Sequence, residues 1–230
     1  MLVDHCAYGL YHEYGLANGC LNWDFYMFLR GVGRMAFPIY CFLLVEGFFY
    51  TRDVKKYALR LLVLAIISEI PFDWALYGMV FNWRKANVVF TLLIGLILIW
   101  VLEESKKKGK LFGIEKTVPR KLVVLLFYVA GCVIAYFAHT DYNMVGVATI
   151  VMMYCCRGED LKKRLLAFGA GVAILTLGCG TMEAWAFLML IPVALYSGKR
   201  GSSSKIIRYA FNYFYPFHLL IIGIVRAILL

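Results

Sequence analysis

Long apolar runs follow one another from one end of this chain to the other, and this succession constrains the fold more than any other feature. A run that crosses a membrane must satisfy its own backbone hydrogen bonds, which favours helices. The runs also lack the alternation of apolar and polar residues that is typical of membrane strands. They cover residues 1–11, 26–49, 58–78, 87–102, 122–138, 143–156, 165–179, 184–197 and 209–229.

The runs predict an all-α fold, a polytopic membrane helix bundle of about nine transmembrane helices. Hydrophobic residues make up 63% of the 230 residues, whereas a soluble domain has about 45–50%, so the composition excludes an ordinary soluble domain and a disordered chain. There is room for one membrane domain, residues 1–230. The first run is too short to cross a bilayer of roughly 30 Å, so we expect a half-span or a chain that begins further upstream.

Basic residues mark the connections between the runs. The net charge of +10 would suggest nucleic acid in a soluble protein, but most of the 24 lysines and arginines fall in connections 51–60, 103–121, 157–164 and 197–208. These are alternate connections, so they share one face, which the positive-inside rule assigns to the cytoplasm. We therefore expect a multi-pass protein of the inner (plasma) membrane, with lipids and not nucleic acid as partners.

The motifs of several enzyme classes are absent from the sequence. It has no Walker A motif, no G-x-G-x-x-G, no G-x-S-x-G and no H-E-x-x-H, which removes support for ATP-driven transport, Rossmann chemistry and zinc proteolysis. Its seven cysteines include no C-x-x-C pair and no zinc spacing with histidine. We therefore expect no metal site.

Ionisable side chains inside the apolar runs are the main indication of function, because a charge in the membrane is costly and usually functional. Several would lie at a similar depth in the outer half of the bundle, where they could form a polar pocket. The ionisable residues are Asp4, His5, Arg30, Arg34, Glu46, Glu69, Asp73, His218 and Arg226. The polar residues at a similar depth are Asn87, Thr91, Asp141 and Tyr142.

Some of these residues also have structural explanations. His218 follows a proline by two residues and could donate to a carbonyl that the proline leaves free in the same helix. Arg34 could form a purely structural ion pair with Glu69 or Glu46. No such explanation is visible for His5, and the aspartate before it points about 100° away around the helix, so the two need not touch.

A basic segment precedes and enters the third run. Arg60 follows Lys56 by four residues and shares a helix face with it, and Arg52 lies in the same segment. Guanidinium and ammonium groups in this arrangement could hold an anionic phosphate ligand that arrives from the cytoplasm.

The chain resembles the TraX family in six strings that occur in this order: MLVDHCAY, GRMAFPIYCFLLVEGFFYTRDVKKYALRLLVLAIISEIPFD, NVVFTLLIGL, DYNMVGV, LYSGKRG and FYPFHLL. That family contains the conjugal-transfer pilin N-acetylase, and it resembles, more distantly, transmembrane acyltransferases that use cytoplasmic acyl-CoA. The D-H motif falls on Asp4 and His5. The chain departs from the family pattern in having little sequence before this motif and in reading SGKRG where NGKRG is expected.

The resemblance implies an acetyltransferase that moves an acetyl group from cytoplasmic acetyl-CoA to an amine or hydroxyl acceptor. The acceptor would be a peptide N-terminus or an extracytoplasmic glycan. His5 would act as general base or would briefly carry the acetyl group, and Arg34 would orient a carboxylate or stabilise the oxyanion. Acetyl-CoA would be the acyl donor, and no metal is expected.

The other site residues also follow from the resemblance. Asp4 is grouped with the catalytic residues because it belongs to the D-H motif, while Glu69 and Asp73 would position the acceptor. The residues expected to bind the acceptor are Asn87, Thr91, Asp141, Tyr142 and His218. The residues expected to hold the CoA phosphates are Arg52, Lys56, Arg60, Lys199 and Arg200.

Two other function classes stay open at this point. A transporter or channel would use the intramembrane Asp, Glu and His residues as a proton or ion path, although no internal repeat of the transporter type is visible. A structural assembly subunit would not need so many buried charges. The sequence sets neither the acceptor nor the oligomeric state, and it is compatible with a homo-oligomer.

Overall fold

The computed structural model describes residues 1–106, 110–111, 114–115, 119–198 and 205–230. Within these ranges the chain is a bundle of helices, which confirms the all-α prediction. The helices are α1 (Leu2–Cys6), a π-helical stretch (Ala7–His12), α2 (Glu13–Ala17), α3 (Trp23–Arg34), α4 (Ala36–Tyr50), α5 (Val54–Tyr77), α6 (Val88–Lys106), α7 (Arg120–Phe137), α8 (Asn143–Cys155), α9 (Leu161–Cys179), a 3-10 stretch (Thr181–Met189), α10 (Leu190–Leu195) and α11 (Lys205–Leu229). Between α6 and α7, β1 (Lys110–Leu111) pairs antiparallel with β2 (Ile114–Glu115).

These helices match the predicted apolar runs in order and in approximate position. Several begin three or four residues before the predicted starts, because their first turns carry charged residues such as Asp24 and Lys162 that hydropathy alone assigns to loops. α3 and α4 are separated only by Met35. Pro38 has no N–H to donate to the carbonyl of Arg34 four residues earlier, so a regular helix cannot run through this point.

Two helical stretches, Trp23–Tyr50 and Val88–Lys106, are long and apolar enough to cross a membrane, as judged by length and composition alone. Other apolar helices of the described chain are shorter, so a bundle of nine membrane-spanning helices stays a prediction.

α7 lies at the edge of the bundle, against α6 and α8. Its outward face is strongly apolar: Leu125 and Leu126 expose 55% and 57% of their surfaces.

The N-terminal helix continues past the predicted end of the first run, through His12 to Ala17. The guanidinium of Arg226, on α11, lies 3.3 Å from the carboxylate of Glu13, so this polar stretch remains helical instead of starting a loop. The same guanidinium donates at 2.7 Å to the carbonyl of Leu76, near the end of α5. Arg226 therefore joins α2, α5 and α11, which is a structural role.

Contacts between connections define one end of the bundle (connections 18–22, 78–87 and 138–142). We call it the acidic end because Asp141 lies in it and Asp24, Asp73 and Glu183 lie in the helical segments beside it. The backbone N–H of Asp141 donates to the carbonyl of Ala86 at 3.0 Å, and the carbonyl of Asp141 accepts from the hydroxyl of Thr91. The first bond joins connections 78–87 and 138–142, which were predicted to lie on the same face of the bundle, and the second joins connection 138–142 to α6.

The opposite end is called the basic end (connections 51–53, 156–160 and 196–198). The hydroxyl of Tyr50 donates to the carbonyl of Gly198 at 2.7 Å, which joins the first of these connections to the last. α5 starts here after Asp53, whose carboxylate accepts from the backbone N–H of Lys56 at 3.0 Å. This N-cap bond holds the pKa of Asp53 below its ordinary value.

The core lies between α4, α6, α8 and α9. Phe168, Ile99 and Ile150 are fully buried there, and Gly95 lets α8 approach closely, because a Cβ at that position would lie 2.3 Å from a methyl of Ile150. On one side of this core, α5 packs along α11, and α1 packs beside both α3 and α11. The first and the last helices of the chain are therefore neighbours.

Candidate functional site

Two histidines from opposite ends of the sequence meet inside the bundle. Nδ1 of His5, on α1, lies 2.9 Å from Nε2 of His218, on α11. Nδ1 of His218 lies 2.7 Å from the carbonyl oxygen of Phe214, one turn earlier in α11. Both residues are buried, with 7% and 3% of their surfaces exposed. His218 thus bonds a carbonyl of its own helix, but not the predicted one, because Pro216 leaves free the carbonyl four residues before it and not that of Phe214. His218 contacts His5 as well.

Aromatic rings surround this histidine pair. The ring of His5 lies 6.4 Å from that of Phe72 and 6.2 Å from that of Tyr215, between centroids, and His218 stacks on Phe214 at 4.9 Å. Within the described chain, no carboxylate contacts either imidazole, and Nε2 of His5 makes no hydrogen bond. The pair therefore has one ring nitrogen that is not engaged.

An apolar cavity of about 580 Å³ runs from Tyr57, four residues after Asp53 of the basic end, to Phe214 and Tyr215 beside the histidine pair. Val88 and Val89, at the start of α6, also line it. Tyr57, Leu61 and Leu64 line it along one face of α5, over seven residues or about 10 Å of helix. Phe214 and Tyr215, which contact the histidine rings, form another wall. A long, mostly apolar ligand arm that enters near the start of α5 would approach the two imidazoles.

The cations predicted to hold the CoA phosphates lie near the start of α5 where they are described. Arg60 lies over the ring of Tyr57, 5.7 Å from its centroid, and Arg52 is exposed in the preceding connection. Lys56 is exposed too, with its ammonium 3.5 Å from the carboxylate of Asp53. Outside the described residues lie Lys199 and Arg200.

A second polar group, the Arg34 cluster, is half-buried except for the buried Glu183. It comprises Arg34, Asp4, Arg30, Tyr142 and Glu183. Nη1 of Arg34 lies 3.4 Å from the carboxylate of Glu183 and donates to the hydroxyl of Tyr142 at 3.1 Å. Nη2 lies 3.8 Å from Asp4, which also pairs with Arg30 at 2.5 Å. Asp4 faces these arginines while His5 faces α11, so the two neighbours point apart as predicted.

The ion pairs predicted for Arg34 are wrong. Glu46 lies twelve residues further along the chain, or about 18 Å if the path is helical, and it pairs with Arg157 instead, at 2.7 Å. The guanidinium of Arg157 also lies over the ring of Phe49 at 4.0 Å. Glu69 turns towards α6 and has no ion pair within the described chain.

The Arg34 cluster borders a pocket of about 430 Å³ at the acidic end. Arg34, Asp141, Tyr142 and Glu183 are among its lining residues. One carboxylate oxygen of Glu183 is buried without a hydrogen-bond partner in the described part of the chain. Burial raises the pKa of Asp141, which lies in the connection between α7 and α8. The pocket thus presents a guanidinium and two carboxyl groups to any ligand that enters from this end.

Most of the remaining residues predicted to bind or position the acceptor hold helices together. Asn87 donates through Nδ2 to a carbonyl of α5 at 2.8 Å and to the carboxylate of Glu69 at 2.5 Å. Thr91 donates to the 138–142 connection. Asp73 accepts at 2.6 Å from a backbone N–H of the connection that follows α5, and its other oxygen is buried without a partner in the described structure.

Comparisons with known proteins match nearly the whole length of the chain. A family model described as TraX protein matches residues 1–226. The chain is also 28% identical over 211 residues to a protein of Dichelobacter nodosus described as "Probable fimbrial assembly protein FimC, serogroup H1". That alignment covers 84% of this chain and 81% of the other protein. No solved structure matches the chain.

Proposed function

Because the chain belongs to the TraX protein family, we propose that it is a membrane-embedded acetyltransferase that moves an acetyl group from cytoplasmic acetyl-CoA to an amine or hydroxyl acceptor. The observation that carries this proposal is the apolar cavity that runs from Tyr57, near the start of α5, to the aromatic residues that contact the histidine pair. The similar protein of Dichelobacter nodosus is described as a fimbrial assembly protein. A peptide of a surface filament is therefore the first acceptor to test, and a glycan is the second.

The surface of the bundle supports a position within a membrane. Large apolar side chains cover the outward faces of α5 and α7, including Ile66, Ile70 and Leu126, with 59%, 57% and 57% of their surfaces exposed. Exposed apolar faces of this extent are uncommon on soluble monomers, whereas lipid tails cover them at no cost. In our proposal the helices span the inner membrane repeatedly, with the basic end in the cytoplasm.

The residues around the cavity fit acetyl-CoA as a substrate. Arg52, Lys56 and Arg60 lie at the start of α5, where cations can bind the phosphates of the nucleotide. The apolar stripe from Tyr57 to Leu64 suits the pantetheine arm. The thioester at the tip of that arm would then meet the imidazoles beyond Phe214 and Tyr215.

The proposed chemistry needs one free imidazole nitrogen. Nε2 of His5 takes the proton from the acceptor N–H or O–H while the acceptor attacks the thioester carbonyl. The new bond to the carbonyl carbon forms, the C–S bond breaks, and His5 returns the proton to the departing CoA thiolate. In the covalent route the same nitrogen attacks the thioester and passes the acetyl group to the acceptor.

The Arg34 cluster has a supporting role in this proposal. Its pocket opens at the acidic end, opposite the entrance proposed for acetyl-CoA, and is the best candidate for the acceptor. Asp141 and Tyr142, both expected to bind the acceptor, line it. Arg34 and Asp4 connect this pocket to α1, the helix that carries His5.

A transporter or channel is the second candidate, and two buried carboxyl groups favour it. Asp73 and Glu183 each keep one carboxylate oxygen without a partner among the described residues. Buried carboxyl groups of this kind occur in the proton relays of transporters. However, the cavity beside the histidine pair is lined by apolar and aromatic residues, which makes it a poor path for ions.

The test of the proposed function uses the purified protein in lipid vesicles, radiolabelled acetyl-CoA, and a short peptide with a free N-terminus. We expect label on the peptide together with an equal amount of CoA thiol, and no label on the same peptide with a blocked N-terminus. A second arm replaces the peptide with a glycan that carries free hydroxyls. If acetyl-CoA remains intact in both arms while the vesicles conduct protons, the protein is a transporter and the proposal is wrong.

A further inference from the structure

We propose that His218 is a positioning residue that holds the ring of His5 in one tautomer, with the proton on Nδ1 and the lone pair of Nε2 free. The inference assigns a direction to the hydrogen bonds of the histidine pair. Its catalytic meaning rests on the proposed function, because Nε2 of His5 is the atom that would take the proton or the acetyl group.

The direction of the two hydrogen bonds, from His5 to His218 and from His218 to Phe214, follows from the group at the end, the carbonyl of Phe214. The carbonyl oxygen of Phe214 can only accept, so Nδ1 of His218, 2.7 Å away, must carry a proton. A neutral imidazole has a single N–H, so Nε2 of His218 is an acceptor. Nδ1 of His5, 2.9 Å from that nitrogen, must then donate, and Nε2 of His5 is left with its lone pair.

Both rings are neutral in this scheme because nothing in contact with them would balance a positive charge. The pair is buried among Phe72, Phe214 and Tyr215, and the described chain brings no carboxylate into contact with either imidazole. A buried charge without a partner is strongly disfavoured. If His218 carried two protons, it would donate to His5 and the tautomer of His5 would be reversed.

The relative orientation of the rings suits a directed hydrogen bond. Their planes differ by 2°, and their centroids are 5.2 Å apart, which is about the 2.9 Å between the nitrogens plus one ring radius at each side. The rings therefore lie end to end in nearly one plane, and the lone pair of His218 points along the N–H of His5. Face-to-face stacking would not give this centroid distance with so short a contact between nitrogens.

This arrangement prepares His5 for the proposed reaction. The tautomer with a proton on Nε2 could neither accept the acceptor's proton there nor attack a thioester, so fixing the tautomer removes an unproductive state. When Nε2 gains a proton or an acetyl group, the ring becomes positive and its bond to His218 becomes charge-assisted. His218 thus acts through His5, without touching the substrate.

The test measures the tautomer directly by ¹⁵N NMR of histidine-labelled protein in lipid, because protonated and bare ring nitrogens have well-separated shifts. Single substitutions of the four histidines assign the signals. Two variants separate the roles: His218→Gln can still offer an oxygen to Nδ1 of His5, whereas His218→Phe keeps an aromatic ring and removes the acceptor. His139→Asn, at an exposed position with φ of 48° that Asn tolerates, is the control.

We expect Nε2 of His5 to be bare in the wild-type protein, in His218→Gln and in the control, and to be partly protonated in His218→Phe. The turnover number should fall about 10- to 100-fold in His218→Phe, with the KM for acetyl-CoA unchanged and partial recovery in His218→Gln. A wild-type His5 with a protonated Nε2, or a His218→Phe protein with unchanged tautomer and turnover, overturns the inference. If no acetyl transfer is detected, the proposed function fails, and the NMR result still decides the tautomer.

Discussion

The half-buried Arg34 cluster and the buried histidine pair both lie between helices, but they differ in how their polar atoms are satisfied. Arg34 is surrounded by Asp4, Glu183 and Tyr142 and has a contact for each of its terminal nitrogens. The histidine pair has a single bond between its rings, one bond to its own helix, and one nitrogen of His5 left unbonded within the described chain.

This difference indicates which group is available for chemistry. A guanidinium that is held by carboxylates on two sides contributes to the position of three elements, and displacing it would leave buried charges without partners. An unbonded imidazole nitrogen is neutral, so burying it costs less free energy than burying an unpaired charge, and its lone pair can react. We therefore assign the larger part of the stability to the Arg34 cluster and the larger part of the reaction to the histidine pair.

We expect Arg34→Leu to lose a large part of the stability of the protein. The substitution leaves Glu183 buried without its cation, so we expect the free energy of unfolding to fall by about 3 kcal/mol or more. Denaturant unfolding in detergent measures it, with Arg84→Leu, at an exposed position of the 78–87 connection, as the control. Equal unfolding midpoints for Arg34→Leu and the control would contradict a structural role for the cluster.

Filling the cavity beside the histidine pair should impair donor binding and leave stability nearly unchanged. Leu64→Trp places a large ring in the proposed path of the pantetheine arm, and we expect the KM for acetyl-CoA to rise about tenfold or more, which is ~1.4 kcal/mol. Initial rates at varied acetyl-CoA measure this change. Ile66→Trp, on the outward face of the same helix, should behave like the wild-type protein, and a normal KM in Leu64→Trp would show that the cavity is not the donor path.

A smaller effect is expected at the entrance of the cavity. Arg60→Gln removes an exposed cation beside Tyr57, and because solvent screens such a charge, we expect the KM for acetyl-CoA to rise only about three- to fivefold. Raising the salt concentration should reduce the difference from the wild-type protein. A KM that does not change in low salt, when the matched Lys121→Gln variant is also normal, would remove Arg60 from the proposed phosphate site.

Hydropathy and charge were sufficient to predict much of the fold. The nine apolar runs correspond to helices in the described chain, and the connections predicted on one face contact one another, as Tyr50 and Gly198 do. The boundaries were less accurate, because a charged residue can stay in a helix when a distant partner neutralises it. Glu13, paired with Arg226, is the clearest instance, and no local pattern reveals that contact.

The site was predictable where a residue type alone indicates function. His5 and His218 were both selected as buried ionisable residues, but their contact joins residues 213 positions apart and cannot be read from spacing. Arg157 and Glu183 were missed because the charge of each had an ordinary explanation: Arg157 belongs to a basic connection and Glu183 to a short outer loop. Asn87 and Glu69 were selected for the acceptor site, but they bind each other and join α5 to α6.

The role of His5 is decided by the rate of acetyl transfer in a single turnover by His5→Gln, compared with the rates of the wild-type protein and of His139→Asn. Loss of a general base or of a covalent carrier predicts a fall of about 10²- to 10⁴-fold in His5→Gln, with unfolding behaviour like that of the wild-type protein and a normal rate in the control. A folded His5→Gln protein that transfers acetyl groups at the wild-type rate would contradict the account.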